Sequence, residues 1–90
     1  MSIHVNIPQF LQHLAGDTVV FETHGSTVGE CLTELNKSFP QLKTWLFNSN
    51  GQLSEKLSVF VNGENSQPEV LPKPVKDGDI LNIVYLIVGG

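Results

Sequence analysis

The chain has 90 residues, of which 40% are hydrophobic and 16% are charged, and its mean hydropathy is close to zero. These values fit one compact domain and exclude an intrinsically disordered chain. Nine acidic residues against five basic ones give a net charge of −4, and the cations are scattered along the chain. We therefore expect neither a nucleic acid nor an anionic membrane surface as a partner.

The cysteine count and the amino terminus bear on the cellular compartment. Cys31 is the one cysteine, so no intramolecular disulfide can form. No apolar stretch approaches the ~20 residues of a membrane helix. The opening residues 1–4 lack the cationic flank and apolar run of a signal peptide. A cytoplasmic protein is expected.

The first two predicted strands form a hairpin. Apolar and polar residues alternate over residues 3–7, which is the period of a half-buried strand, and Pro8 ends it. Residues 18–22 are rich in β-branched and aromatic side chains and predict a second strand. Because only a short segment joins the two strands, we expect them to pair in antiparallel fashion.

One helix is predicted from about residue 28 to residue 38. Thr27 and Glu30 have the spacing of a capping box, which satisfies free N–H groups at a helix start. Apolar residues then recur on one helical face until Pro40 stops the helix. Cys31 lies on this apolar face, so we interpret it as a core residue rather than a redox or sulfur-relay thiol.

The connection after the helix, residues 41–55, has room for a short helical turn. Trp45 and Phe47 within it are expected to close one end of the core. Residues 57–61 predict the third strand, and the Asn62-Gly63 pair that follows favours a type I′ turn.

The last third of the chain is predicted to be a loop followed by a strand. Residues 64–76 contain three prolines and are expected to form an irregular loop with at most a short edge strand near Val70. Residues 80–86 predict the last long strand. The order β-β-α-β-(short β)-β indicates an α+β fold with the helix on one face of a mixed sheet. If the first and last strands lie side by side in parallel, the connection between them should be right-handed.

Strand alternation predicts an apolar docking patch on the sheet face that the helix leaves open. The odd-numbered residues of the third and last strands are expected to face the helix, which turns Phe60 and Val84 to the other face. Exposed apolar patches often mark partner sites. The predicted partner-docking residues are Phe60, Val84, Leu86 and Val88.

No catalytic or metal-binding constellation stands out. His4, His13 and His24 match no metal-ligand spacing, so we interpret them as surface or strand residues. Asp77 and Asp79 are interpreted as part of a turn, because two carboxylates are too few for a calcium loop. We expect no bound metal or cofactor and no intrinsic enzyme activity.

The sequence ends on Gly89-Gly90, directly after an apolar strand. A glycine pair buries nothing, so stability does not explain it, but a tail without Cβ atoms can enter a narrow enzyme pocket. The simpler alternative is a frayed terminus, where small residues are common.

Four short motifs occur in the order in which they appear in the ubiquitin-like sulfur-carrier family, which this chain resembles. That family includes the small subunit of molybdopterin synthase, the thiazole-synthesis carrier and a carrier associated with a cysteine synthase. The motifs are Thr27-Val28-Gly29-Glu30-Cys31-Leu32, Val59-Phe60-Val61-Asn62-Gly63-Glu64, Lys76-Asp77-Gly78-Asp79 and Val88-Gly89-Gly90.

The resemblance implies a single β-grasp domain over residues 1–90, of which residues 87–90 are a flexible tail. It implies that an E1-like enzyme uses ATP to adenylate Gly90, and that a sulfur donor then converts Gly90 to a thiocarboxylate. A sulfur-acceptor synthase of the cysteine, molybdopterin or thiazole type would take the sulfur. Two alternatives stay open: a protein modifier conjugated through Gly90, and an interaction module with an inert tail.

Overall fold

Five strands form one mixed sheet in the computed structural model, which describes residues 2–85. They are β1 (Ile3–Asn6), β2 (Val20–Thr23), β3 (Leu57–Val61), β4 (Glu64–Asn65) and β5 (Ile80–Tyr85). The helices are α1 (Gln9–Gln12), α2 (Val28–Ser38) and α3 (Lys43–Leu46), with 3-10 turns at His13–Ala15 and Pro40–Leu42. None of the helices formed within these residues is long and apolar enough to cross a membrane.

The strand order β2-β1-β5-β3-β4 places β5 in the middle of the sheet. β1 pairs with β2 in antiparallel fashion and with β5 in parallel, with His4 opposite Ile80. On its other side β5 is antiparallel to β3, and Tyr85 lies opposite Leu57. The predicted hairpin and the α+β class are confirmed, and the first and last strands do lie side by side in parallel.

The helix α2 begins and ends where the sequence predicts. The Thr27 hydroxyl accepts a hydrogen bond from the Glu30 N–H at 3.1 Å, which is the predicted cap. The Glu30 carboxylate reaches back to the Ser26 N–H at 2.7 Å, one residue earlier than in the usual capping box. The first turn of α2 is therefore held in place from both sides.

The loop before β5 accepts hydrogen bonds from the remaining free N–H groups at the start of α2. The Val28 N–H donates to the Lys73 carbonyl and the Gly29 N–H to the Leu71 carbonyl, each at 2.9 Å. A Cβ placed on Gly29 would lie 3.0 Å from the Leu71 carbonyl oxygen, so a side chain here would push the loop back by a few tenths of an ångström, and the close approach favours glycine. Gly29 thus has a packing role.

The inner face of the sheet and α2 share one core. The odd-numbered residues of β3, and those of β5 up to Ile83, are buried on the inner face of the sheet, as predicted, and α1 and the segment around α3 cover the end of the sheet where β5 finishes. The largest buried side chains of this core are Ile3, Leu11, Leu32, Leu35, Leu42, Leu46, Leu57 and Leu81.

Two short elements differ from the sequence prediction. Residues 9–12 form α1, which was not predicted, because a single turn after Pro8 is too short to show helical periodicity. The strand β2 begins at Val20 rather than at residue 18. Residue 17 has a positive φ of 61°, and the chain becomes regular only beyond that turn.

The short edge strand lies at Glu64–Asn65 and not near Val70, so that prediction was wrong. Asn62 and Gly63 have φ values of 52° and 87°, which fits the predicted tight turn, and the chain pairs with β3 immediately after it. Val70 is instead buried against the core from within the proline-rich loop.

Trp45 does not close the core as the sequence predicted. Its side chain is 40% exposed, whereas Leu46, the next residue of α3, is fully buried. A helix of one turn presents only one side to the core, and Leu46 occupies it. Phe47 is partly buried against the core, in line with the prediction.

Asp79 ties the turn after β3 to the start of β5. Its carboxylate accepts one hydrogen bond from the Asn62 side-chain amide and one from the Lys76 N–H, both at 2.9 Å. The Asn62 side chain in turn accepts from the Ile80 N–H at 2.9 Å. Asp79 is almost fully buried, and these donors, Asn62 first, lower the pKa of its carboxyl below the usual 3.8.

Replacing Asp79 with Asn should flatten the acid dependence of stability. A depressed folded-state pKa means that the ionised Asp79 stabilises the fold above the unfolded-state pKa and that this contribution is lost as the pH falls through the folded-state value. The free energy of unfolding of the wild type should therefore decrease below about pH 4, and more steeply than that of Asp79→Asn.

At neutral pH the substitution should lower the free energy of unfolding by about 1–3 kcal/mol. One carboxylate oxygen that accepts a hydrogen bond is replaced by an amide NH2 group, which then faces an N–H donor. Urea unfolding at a series of pH values measures both effects. If the free energy of unfolding changed with pH in the same way for both proteins, this role of Asp79 would be contradicted.

Candidate functional site

The described part of the chain ends on the central strand of the sheet. Tyr85 is the last described residue, and β5 is bound on one side to β1 and on the other to β3. The predicted sulfur-carrying residues Gly89 and Gly90, and the predicted docking residues Leu86 and Val88, lie outside the described residues. Their roles stay predictions.

The open face of the sheet carries the two described residues that the sequence proposes for docking. Phe60 lies opposite Asn82 in the register of β3 and β5, and Ser58 lies opposite Val84. Phe60 and Val84 are therefore diagonal neighbours on one face, where long side chains can touch. Both are partly buried. The structure thus brings Phe60 and Val84 together as expected, whereas their function in docking stays a prediction.

Ile80 extends this apolar area on the other side of Phe60. It is also a diagonal neighbour of Phe60, and it is 42% exposed. Strand alternation already turned Ile80 outward in the sequence, but its nearness to Phe60 depends on the register of β3 and β5. We call Phe60, Ile80 and Val84 the open-face patch.

Polar side chains border the open-face patch on β1 and β2. The Asn6 side-chain amide donates to the Asn82 side-chain oxygen at 2.8 Å and so links β1 to β5 beside Phe60. Farther out, the Glu22 carboxylate lies 4.0 Å from His4 Nε2 and 3.8 Å from His24 Nε2. An apolar centre with a polar border is typical of a protein-binding surface.

The described residues offer little for intrinsic chemistry. Among residues 2–85 no group of three or more His, Cys, Asp or Glu side chains is placed to hold a metal ion. Cys31 is fully buried, and burial raises the pKa of its thiol despite a hydrogen bond from Thr23 and a 3.8 Å contact with the Gly25 carbonyl. Cys31 is therefore a core residue, as the sequence predicts.

A second apolar feature, on the helix side, was missed by the sequence analysis. Phe10 of α1 packs edge-on against Trp45 of α3 and Tyr85 of β5, with ring centroids 5.8 Å and 5.1 Å apart. We call these three residues the aromatic cluster. They come from elements far apart in the chain, so no sequence pattern joins them. The one available signal was the aromatic residue Tyr85 near the end of the last predicted strand.

Comparison with known proteins assigns both family and fold. The model of the ThiS family matches residues 5–90, which is nearly the whole chain. No curated protein sequence matches this chain.

Solved structures match over the full length. A chain in the Amycolatopsis orientalis BexX/CysO complex has 30% identity and a TM-score of 0.87, covering 98% of this chain and 99% of that chain. SAMP1 from Haloferax volcanii has 26% identity and a TM-score of 0.85 over 100% of both chains. CysO from Mycobacterium tuberculosis, at 24% identity, has a TM-score of 0.84 over 94% of this chain and 99% of that chain. The predicted β-grasp, ubiquitin-like fold is confirmed.

If Phe60 anchors a partner protein, as the sequence predicts, replacing it with Ser should weaken binding of that partner by about tenfold or more, since a central apolar anchor of the interface is lost. Because Phe60 is only partly buried, the melting temperature should change little. Calorimetric titration and thermal unfolding of the same variant measure the two effects.

Val19→Ser is the matched control for that experiment. Val19 is 57% exposed and lies just before β2, away from the open-face patch, so its replacement should leave binding unchanged. A large drop in the melting temperature of Phe60→Ser with unchanged binding would show that Phe60 is structural.

Proposed function

The chain belongs to the ThiS family of ubiquitin-like sulfur carriers, and from this premise we propose that it carries sulfur as a thiocarboxylate on Gly90. The observation that best supports the proposal is the extent of the family match, which runs through the Gly89-Gly90 pair. The protein would then be the substrate of partner enzymes rather than a catalyst.

The proposed chemistry begins with a poor electrophile. An α-carboxyl group with a pKa of about 3.3–3.7 is ionised at neutral pH, so a nucleophile meets negative charge and has no good leaving group. Transfer of AMP from ATP forms an acyl-adenylate on Gly90 and releases pyrophosphate. Hydrosulfide, or a donor equivalent to it, then attacks the acyl carbon, AMP leaves, and a thiocarboxylate remains.

The folded body contributes position rather than reactive groups. Because β5 is paired with β1 over residues 80–82 and with β3 as far as Tyr85, the chain is held in the sheet until shortly before the predicted tail. A partner that docks on the surface around β5 receives the tail in a defined direction, and this raises the effective concentration of the reacting group. Glycines at positions 89 and 90 let the backbone approach the catalytic atoms without a Cβ in the way.

Three kinds of partner follow from this proposal. An E1-like adenylating enzyme consumes ATP, a sulfur donor supplies the sulfur, and an acceptor synthase takes it from the thiocarboxylate. The matched structure is a BexX/CysO complex, and we expect an acceptor enzyme to bind this chain as well. Cysteine, molybdopterin and thiazole formation are the acceptor pathways that the proposal allows, and ATP-dependent activation suits the cytoplasm.

Incubation with ATP, sulfide and candidate activating enzymes should add about 16 Da to the intact protein, because sulfur replaces one oxygen. The gain should require ATP, and a chain lacking Gly89-Gly90 should show none. Isopeptide-linked adducts on lysines, with no sulfur gain, would support the modifier alternative instead. Full biological activity of the truncated chain would support an inert tail.

Replacing Gly90 with Ala should slow thiocarboxylate formation by at least about 100-fold, because an added Cβ displaces the reacting carbonyl in a closely fitting site. Gly90 is expected to belong to a tail that buries nothing, so thermal unfolding should match that of the wild type. A Ser2→Ala variant, changed at the opposite end of the chain, should react normally. A normal sulfuration rate for Gly90→Ala would contradict the proposed passage of the tail.

A further inference from the structure

Exposed aromatic side chains are concentrated where β5 ends. In the described part of the chain six large hydrophobic side chains are exposed, and three of them, Phe10, Trp45 and Tyr85, form the aromatic cluster. Their exposed fractions are 38%, 40% and 36%. Edge-to-face packing orients the rings against one another, so the cluster presents a formed apolar surface to solvent.

A groove of about 350 Å³ adjoins the cluster, and its charge is opposite to that of the chain as a whole. Trp45 and Tyr85 form part of its wall, together with Thr44, Ser54, Leu57 and Lys56. Lys56 is its one charged lining residue, and Lys56 has no carboxylate within ion-pair distance among residues 2–85. The complete chain carries a net charge of −4.

Larger grooves elsewhere on the molecule are lined by carboxylates. Two carboxylates and one amine, Glu30, Glu34 and Lys37, line the groove beside α2, whereas Glu55 and Glu69 line the groove under the proline-rich loop. The groove at the aromatic cluster therefore differs from both in the sign of the net charge on its lining residues. It suits a partner that offers an apolar side chain next to a carboxylate.

Covalent geometry limits how far a catalyst can be from this groove. Residues 86–90 can span at most about 18 Å beyond Tyr85, even when fully extended. Any enzyme that holds Gly90 in its active site must therefore lie close to Tyr85. A second contact surface at Tyr85 would restrict the orientation of that enzyme from the helix side, opposite the open-face patch.

We propose that the aromatic cluster and the groove at Lys56 are a second docking site for the enzyme that activates the Gly90 carboxylate. An apolar side chain of that enzyme packs on Trp45 and Tyr85, and an acidic side chain pairs with Lys56. The proposal rests on the proposed function. It names the activating enzyme because activation of Gly90 is required of a sulfur carrier and of a protein modifier alike.

The test measures steady-state kinetics of sulfuration with the carrier as the varied substrate. In Lys56→Glu, an exposed charge is reversed, and the KM for the carrier should rise about 5- to 10-fold while kcat stays near that of the wild type. Trp45→Ala should raise KM in the same direction, because it removes the apolar contact. Thermal unfolding checks that each variant is folded.

Lys73→Glu is the matched control, because it makes the same change in net charge. The Lys73 backbone bonds to the first turn of α2, at the end of the sheet where β5 begins, far from Tyr85. Lys73→Glu should leave KM unchanged. An equal rise for both charge reversals would show only a long-range effect of net charge and would overturn the docking site.

The remaining outcomes separate this inference from the proposed function. If the wild type gains sulfur but Lys56→Glu and folded Trp45→Ala have the wild-type KM, or a lower one, the second docking site is wrong and the carrier function stands. If the variants weaken only the transfer of sulfur to an acceptor, the named occupant is wrong. If the wild type itself gains no sulfur with any activating enzyme, the proposed function fails.

Discussion

The parallel pairing of β1 with β5 is the constraint on which the rest of the structure depends. It brings the last strand between the first and third strands, so the described part of the chain ends on the central strand of the sheet. The turn before β5 reinforces this pairing, since the Gly78 N–H donates to the Ser2 carbonyl at 2.8 Å and the His4 N–H to the Asp79 carbonyl at 3.1 Å. A tail at an edge strand could shift with fraying, whereas the central strand is paired with β1 over residues 80–82 and with β3 as far as Tyr85.

Two unlike surfaces lie on either side of β5, the central strand. The open-face patch lies on the sheet surface that the helices leave uncovered, and the aromatic cluster lies on the helix side at the end of β5. A partner that contacts either surface is within reach of the tail. Because the two surfaces are separated by the thickness of the sheet, together they would define the orientation of a partner more fully than one patch could.

Much of the fold could be predicted from local signals. The cap at Thr27, the apolar stripe of α2 and the Asn62-Gly63 turn each depend on residues close in sequence, and the structure has them as expected. The helix α1 has only four residues, which is too few for the hydrophobic periodicity that predicts a helix. The aromatic cluster depends on three distant elements, so only the tertiary structure could reveal it. Strand alternation was enough to predict that Phe60 and Val84 lie on the same face of the sheet. The position of Ile80 next to Phe60 depends on the register of β3 and β5, which the sequence does not show.

The central claim concerns the chemical state of one carboxyl group, and mass spectrometry of protein isolated from its own cells measures that state directly. Tandem spectra of the C-terminal peptide should locate a sulfur-for-oxygen exchange, about 16 Da, on Gly90 in a fraction of the molecules. Brief alkylation before digestion should trap the same group as a thioester. A Gly90 carboxyl that is always an ordinary carboxylate or always an isopeptide, in cells that are actively assimilating sulfur, would contradict the account.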